Sequence, residues 1–233
     1  MSVFELALKR CIRDKGTLVL LISLPVIVVT MPAADDAANF GWTQLPLGYQ
    51  FFGIILLFTA SKMVHFLLQD RASGVLVRIS AAPISHFAYL SWNLLAYASV
   101  LVAQIAIAIG GGLLAGHEIL SPALLFVTYV VFAFAAMSFA LAWCSLFRSR
   151  EASMLILVGV IMIMAMLGGL MWPVEIMPDA LQRTAPLLPT YWLAQAQSIV
   201  VRGEININLI LSYIILGLFT LVFLLLGSRS RIR

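Results

Sequence analysis

Apolar residues fall into six long runs, at about 17–34, 47–68, 86–114, 122–147, 152–171 and 207–226, separated by short polar breaks. Most approach or exceed the ~20 apolar residues that cross a bilayer as a helix. The first is short and carries Pro25, which predicts a kink. The third is longer than a straight crossing needs, and Gly110-Gly111-Gly112 predicts a break near its end. The fifth is rich in methionine.

Two stretches depart from this rhythm. In residues 2–15, Phe4, Leu8, Cys11 and Ile12 share one helical face and Glu5, Lys9 and Arg13 the other; only Leu6 is out of pattern. That predicts an amphipathic elbow helix on the membrane surface. The competing reading is a secretory signal, with Thr17–Met31 as its apolar region and cleavage near Pro32–Ala38. The amphipathic face favours a retained helix. Residues 172–204 are apolar but interrupted by Pro173, Pro178, Pro186 and Pro189. Pro178-Asp179 starts one short helix and Pro189 a second, ended by Gly203. With Trp172, Tyr191 and Trp192 suited to a membrane interface, the stretch predicts a helical hairpin packed on or dipping into the outer leaflet.

Composition agrees with the pattern. Hydrophobic residues make up 63% of the 233 positions and charged residues 10%, against about 45–50% and about 25% in soluble domains. The fold class is all-α, an integral membrane helical bundle forming one transmembrane unit over 1–233. The net charge of +4 does not indicate nucleic acid, because the basic residues sit in short clusters between apolar runs, with no interleaved stacking aromatics. Cys11 and Cys144 lack metal-ligand or disulfide-framework spacing, so reduced, inert thiols are expected.

Charge also orients the chain. With six spans and both ends inside, the inner segments hold Lys9, Arg10, Arg13, Lys15, Arg71, Arg78, Arg148, Arg150, Arg229, Arg231 and Arg233. The outer segments hold only Arg183 and Arg202. The positive-inside rule therefore places the N- and C-termini in the cytoplasm, together with the loops at 69–85 and around 148–151.

Several chemistries are missing from the sequence. No Gly-x-x-x-x-Gly-Lys-Ser/Thr phosphate loop, His-Glu-x-x-His or Gly-x-Ser-x-Gly occurs. No Asp or Glu falls within a span, where ion-coupled transporters usually place carboxylates. A secondary transporter is thereby disfavoured. A membrane-embedded enzyme would have to rely on Ser61, Lys62, His65 and His86, whose spacing forms no catalytic constellation. Lys62, the one strongly charged residue inside a span, lies one helical step from His65. It either snorkels to the headgroups or lines a path. We expect no catalytic residue, no metal site and no cofactor bound by this chain.

Two stretches carry a resemblance. One is Asp70-Arg71-Ala72-Ser73-Gly74-Val75-Leu76 followed by Ala81-Ala82-Pro83-Ile84-Ser85. The other is Gly168-Gly169-Leu170-Met171-Trp172-Pro173, then Met177-Pro178, then Leu188-Pro189-Thr190-Tyr191-Trp192. Together they resemble the coupling-loop and extracellular-hairpin signatures of ABC-2-type permeases, the transmembrane subunits of a class of ABC exporters. The amphipathic start, six runs and length extend the likeness over essentially the whole chain.

The resemblance implies two separate ABC ATPase subunits, which bind ATP and Mg, and a second permease, identical or related. It also implies a prokaryotic cytoplasmic membrane. The 69–85 loop would be the coupling segment, with Asp70, Arg71, Gly74, Arg78 and Pro83 as its candidate contacts and Arg148 and Arg150 on the second inner loop. Ala72 and Val75 replace the family's second acidic residue and its threonine, which narrows the first set to Asp70, Arg71 and Gly74. Gly168, Gly169, Pro173, Pro178, Pro189, Tyr191 and Trp192 would shape the outer hairpin. A path near spans 1, 2 and 5 takes Lys62, His65, Met162 and Met166 as candidates. Methionine and aromatic side chains with few polar groups suit a drug, antibiotic or lipid-like cargo; export of a lipid-linked glycan or polysaccharide is the alternative.

Overall fold

The computed structural model describes residues 3–31, 45–72, 86–146 and 150–229; among them are nine α-helices and no strand. In chain order they are α1 (Val3–Arg13), α2 (Lys15–Thr30), α3 (Leu47–Ala72), α4 (His86–Leu114), α5 (Pro122–Leu146), α6 (Arg150–Leu167), α7 (Asp179–Thr184), α8 (Pro189–Val200) and α9 (Ile207–Arg229). Single 3-10 turns, Val174–Ile176 and Ala185–Leu187, flank α7.

α1 is amphipathic as its spacing predicts. Ala7 and Cys11 are buried while Glu5, Lys9, Arg10 and Arg13 are exposed. Burial pushes the Cys11 thiol up to about 12, so it stays protonated and inert at neutral pH. α1 gives way to α2 at Asp14, whose backbone is extended (φ −81°, ψ 105°). The Asp14 Oδ2 accepts from the Thr17 amide at 2.9 Å and the Thr17 hydroxyl at 2.6 Å, filling an otherwise empty first turn. α2 then runs through Pro25 to Thr30.

α5 is the central helix. It packs against α3, α4, α8 and, most extensively, α9. Tyr129, Phe132 and Met137 are fully buried along it, and Ala133, Ala136 and Ala140 let neighbouring backbones come close. α1 and α2 lie against α4 on one flank. α6 is peripheral, resting mainly on α3 and leaving Leu155, Ile156 and Ile163 exposed.

The glycine triplet does not break α4, which continues to Leu114. Continuing the helix pairs the backbone N–H groups within the segment, which apolar surroundings demand. Gly112 serves instead as a place of close approach. The Tyr49 hydroxyl occupies the space a Cβ there would fill and donates to the Ala108 carbonyl at 2.9 Å.

Among the described residues, three helices are long and apolar enough to cross a membrane, at Ser91–Leu114, Pro122–Trp143 and Ile207–Gly227, judged by length and composition. Lys15–Thr30, Leu47–Lys62 and Ser153–Leu167 are shorter apolar helices. Contacts place the start of α3, the ends of α4 and α6, the start of α5 and the 168–203 region at one end of the bundle. At the opposite end are the α1–α2 junction, Lys62, and the contact of Trp143 with Ser153.

Candidate functional site

Between α2 and α6, which both flank α3, lies a half-open cavity of about 440 Å³. Its walls include Leu20 and Leu24 from α2, Phe58 and Lys62 from α3, and Leu157 and Ile161 from α6. The cavity forms because α6 leans on α3 without filling the space beside α2, and both outer helices keep apolar faces exposed. On α2 these are Val19, Ile22, Val26 and Ile27; on α6, Leu155, Ile156 and Ile163.

Lys62 marks one end. Its Nζ lies 3.4 Å from where a Cβ on Gly16 would sit, and Asp14 Oδ2 is 3.5 Å from the same point. Lysine therefore reaches the α1–α2 junction, where a side chain on residue 16 would crowd it. The Thr17 hydroxyl and amide hold the Asp14 carboxyl below its ordinary value, with the Lys62 charge adding a smaller effect. Of the other residues expected on a path, the His65 side chain lies outside the described residues. Met162 and Met166 sit on the exposed side of α6, whereas Met154 lines the cavity.

At the far end of the bundle, the two halves of the second signature come together. α6 closes with Gly168 and Gly169, the latter at φ +82°, and the Leu170 amide reaches back to the Ala165 carbonyl at 3.1 Å. This is a glycine-terminated helix end of the Schellman type. Gly168 is needed because Thr190 occupies its Cβ space, and the Thr190 hydroxyl donates to the Met164 carbonyl at 2.6 Å. Pro173 precedes the first 3-10 turn and Pro178 precedes α7. Pro189 opens α8, Trp192 Nε1 donates to the Pro186 carbonyl at 2.8 Å, and the Tyr191 and Trp192 rings meet edge to face at 5.2 Å.

α8 is more deeply set than a helix resting on a surface. Leu193, Ala196, Gln197 and Ile199 are buried against the bundle. Gln197 is a residue the sequence did not single out. Its Nε2 donates to Tyr129 Oη at 3.0 Å and to the Tyr49 carbonyl at 3.3 Å, so one amide ties α8 to α3 and α5. The only sequence signal was a polar residue on the face shared by Leu193 and Val200.

The expected coupling residues Gly74, Arg78, Pro83 and Arg148 lie outside the described residues. Asp70 and Arg71 fall in the last turn of α3 and Arg150 opens α6. Their side chains also lie outside the described residues. Among the described residues no cluster of His, Cys, Asp or Glu has the makings of a metal site.

A family model described as ABC-2 family transporter protein matches residues 22–229. The chain belongs to that family. The match takes in every helix from within α2 to the end of α9, so the cavity, the glycine-ended α6 and the buried α8 are parts of an ABC-2-type permease. Membership makes the chain a membrane transport component of an ABC exporter and implies association with an ABC ATPase. The comparison with curated proteins returns no match.

Proposed function

We propose that this ABC-2 permease exports a hydrophobic or amphipathic compound, a drug, antibiotic or lipid-like molecule, using ATP hydrolysed by a separate subunit. The observation that carries this reading is the cavity of about 440 Å³ between α2, α3 and α6, walled almost wholly by apolar side chains. That volume falls in the roughly 300–1,000 Å³ range of small-molecule sites. A polysaccharide track would need polar lining that these walls do not offer.

In this reading the chain crosses the cytoplasmic membrane of a prokaryote six times, as α2, α3, α4, α5, α6 and α9, with both ends inside. α1 is the elbow, and 172–204 forms the outer hairpin. Lys62 then sits at the level of the inner headgroups, beside the elbow junction. The exposed apolar faces of α2 and α6 flank the cavity, and a second permease packs there to close the path. Two ATPases grip the 69–85 and 148–151 loops, with Asp70, Arg71 and Gly74 as the principal contacts and Arg78, Pro83, Arg148 and Arg150 supporting them. Their closure repacks α2, α3 and α6 around the cargo. No catalytic residue and no cofactor is assigned to this chain; ATP and Mg belong to the partner.

The test is co-purification with the ATPase and hydrolysis in liposomes across a panel of amphiphilic compounds. Arg71→Glu should abolish compound-stimulated hydrolysis while the permease still inserts. Stimulation unchanged by Arg71→Glu and by deletion of 74–83 would overturn the coupling assignment.

A further inference from the structure

Leu6 is the residue that the amphipathic pattern of α1 leaves out, and it is 53% exposed. The apolar side of α1 is turned to protein. Ala7 and Cys11 are buried, Phe4 and Leu8 pack beside them against the core, and the helix rests on α4 and α2. Leu6 lies on the outward side. Lys9, Arg10 and Arg13 follow it at i+3, i+4 and i+7, all exposed, so the leucine sits among cations on one helical surface. With Lys15, residues 3–15 carry four cations against the carboxylates of Glu5 and Asp14. Among the described residues no ion pair engages Lys9 or Arg13. These two, one turn apart, repel each other, and an anion between them relieves the repulsion.

Depth identifies the partner. α2 begins directly after Asp14, and its exposed apolar side opens at Val19. Five residues of helix rise about 8 Å, and the headgroup region on each side of the hydrocarbon core is about 5–8 Å deep. α1 therefore joins α2 at the depth of the lipid phosphates. α4, which supports α1, exposes Trp92 within its first two turns, an aromatic suited to the same layer. A soluble protein surface would answer the cations but would need an apolar socket for Leu6. A headgroup layer answers both, because the leucine reaches past the phosphates to the acyl boundary.

We propose that the outward face of α1, Leu6 with Lys9 and Arg13, docks on anionic phospholipid headgroups of the inner leaflet and holds the elbow at that depth. This rests on the reading of α1 as the inner elbow of a six-span permease, and it adds the lipid class and the helix face that meets it.

The experiment uses the full chain in phosphatidylcholine nanodiscs, with a fluorescent donor on Glu5→Cys and Cys144→Ala to leave one accessible thiol, Cys11 being buried. Energy transfer is read to phosphatidylglycerol or phosphatidylcholine carrying the acceptor on its tail. Phosphatidylglycerol should be enriched beside α1, less so at high salt. Lys9→Gln with Arg13→Gln should remove most of the preference, about fivefold for each cation. Lys9→Arg with Arg13→Lys should keep it. Leu6→Glu, which removes the apolar tip and sets a carboxylate among the cations, should lower it.

Equal enrichment of the two lipids would overturn the proposal, as would a preference untouched by the double glutamine variant. A preference lost in Val158→Trp would assign the lipid to the cavity and overturn it too. Failure of the double glutamine variant to hold the ATPase, with lipid preference unchanged, would make the face a protein contact. A membrane-impermeant maleimide separates this proposal from the topology beneath it. Glu5→Cys should react in inside-out vesicles and not in right-side-out ones. The reverse, with the phosphatidylglycerol preference intact, would overturn the orientation and the inner-leaflet assignment while supporting the lipid contact itself.

Discussion

The hydroxyl of Tyr129 donates a 2.6 Å hydrogen bond to the backbone carbonyl of Tyr49, across 80 residues of chain. Gln197 joins the same two groups from α8. This polar knot pins α3, α5 and the hairpin together at one end of the bundle, opposite the Lys62 end of the cavity.

Tyr129→Phe removes both the donor to the Tyr49 carbonyl and an acceptor for Gln197. Hydrogen bonds within membrane bundles are worth only about 0.6 kcal/mol on average, while stranding a buried polar group costs about 1–3 kcal/mol. We expect Tyr129→Phe and Gln197→Leu each to destabilise the purified chain by about 1 kcal/mol. The pair should cost measurably less than the sum, because each substitution alone removes the Gln197–Tyr129 hydrogen bond, which the double variant can lose only once. A denaturation-based double-mutant cycle measures this; strict additivity would show that the knot does not act as a unit.

Gly169 sits at φ +82°, where side chains are disfavoured. A Cβ there would also come within 2.8 Å of Val174 Cγ2. Gly169→Ala should cost about 1 kcal/mol or more, and Gly169→Asn less strain in the backbone, since asparagine tolerates this conformation. Protease susceptibility of the 168–189 stretch should rise in the order wild type, Asn, Ala. Equal resistance of all three would contradict the assigned turn.

Asp14 gives a pH dependence with a definite sign. Its folded value is lowered from 3.8, chiefly by the Thr17 hydroxyl and amide. A depressed carboxyl contributes stability that is fully present above the unfolded value and lost as pH falls through the folded one. Hydrogen exchange at Thr17 and Leu18 should therefore be protected constantly, after correction for intrinsic rate, above about pH 5. Protection should decline below pH 3.8. Asp14→Asn should weaken protection and flatten its pH dependence across that window. A wild-type profile that stays flat there would show that the cap does not form.

Some of this was legible in the sequence. Phe4, Leu8 and Cys11 recur at helical spacing because α1 has one wet and one dry side. Pro178 and Pro189 marked helix starts because proline needs no amide partner there. What was not legible is which side of each later helix faces the core. Where both environments are apolar, Leu155 on the outside and Leu157 on the inside look alike. The Gly110–Gly112 triplet suggested a break because its role depends on Tyr49, a residue far off in sequence that arrives through tertiary packing. The role of Gln197 likewise exists only once residues 68 and 148 positions away are in place. The cavity is a property of three helix surfaces leaning together; of the described residues expected on a path, Lys62 alone lines it, and it stood out as a cation in an apolar run.

In the proposed function, cargo occupies the space between α2, α3 and α6, and its presence there drives the partner ATPase. Val158 both lines that space and is 44% exposed, so a larger side chain can be accommodated without disturbing the core. The deciding measurement is compound-stimulated ATP hydrolysis by the reconstituted permease–ATPase complex carrying Val158→Trp. Normal assembly and normal basal hydrolysis are expected, with stimulation lost. Full stimulation in a correctly assembled Val158→Trp complex would place the cargo elsewhere and contradict the account.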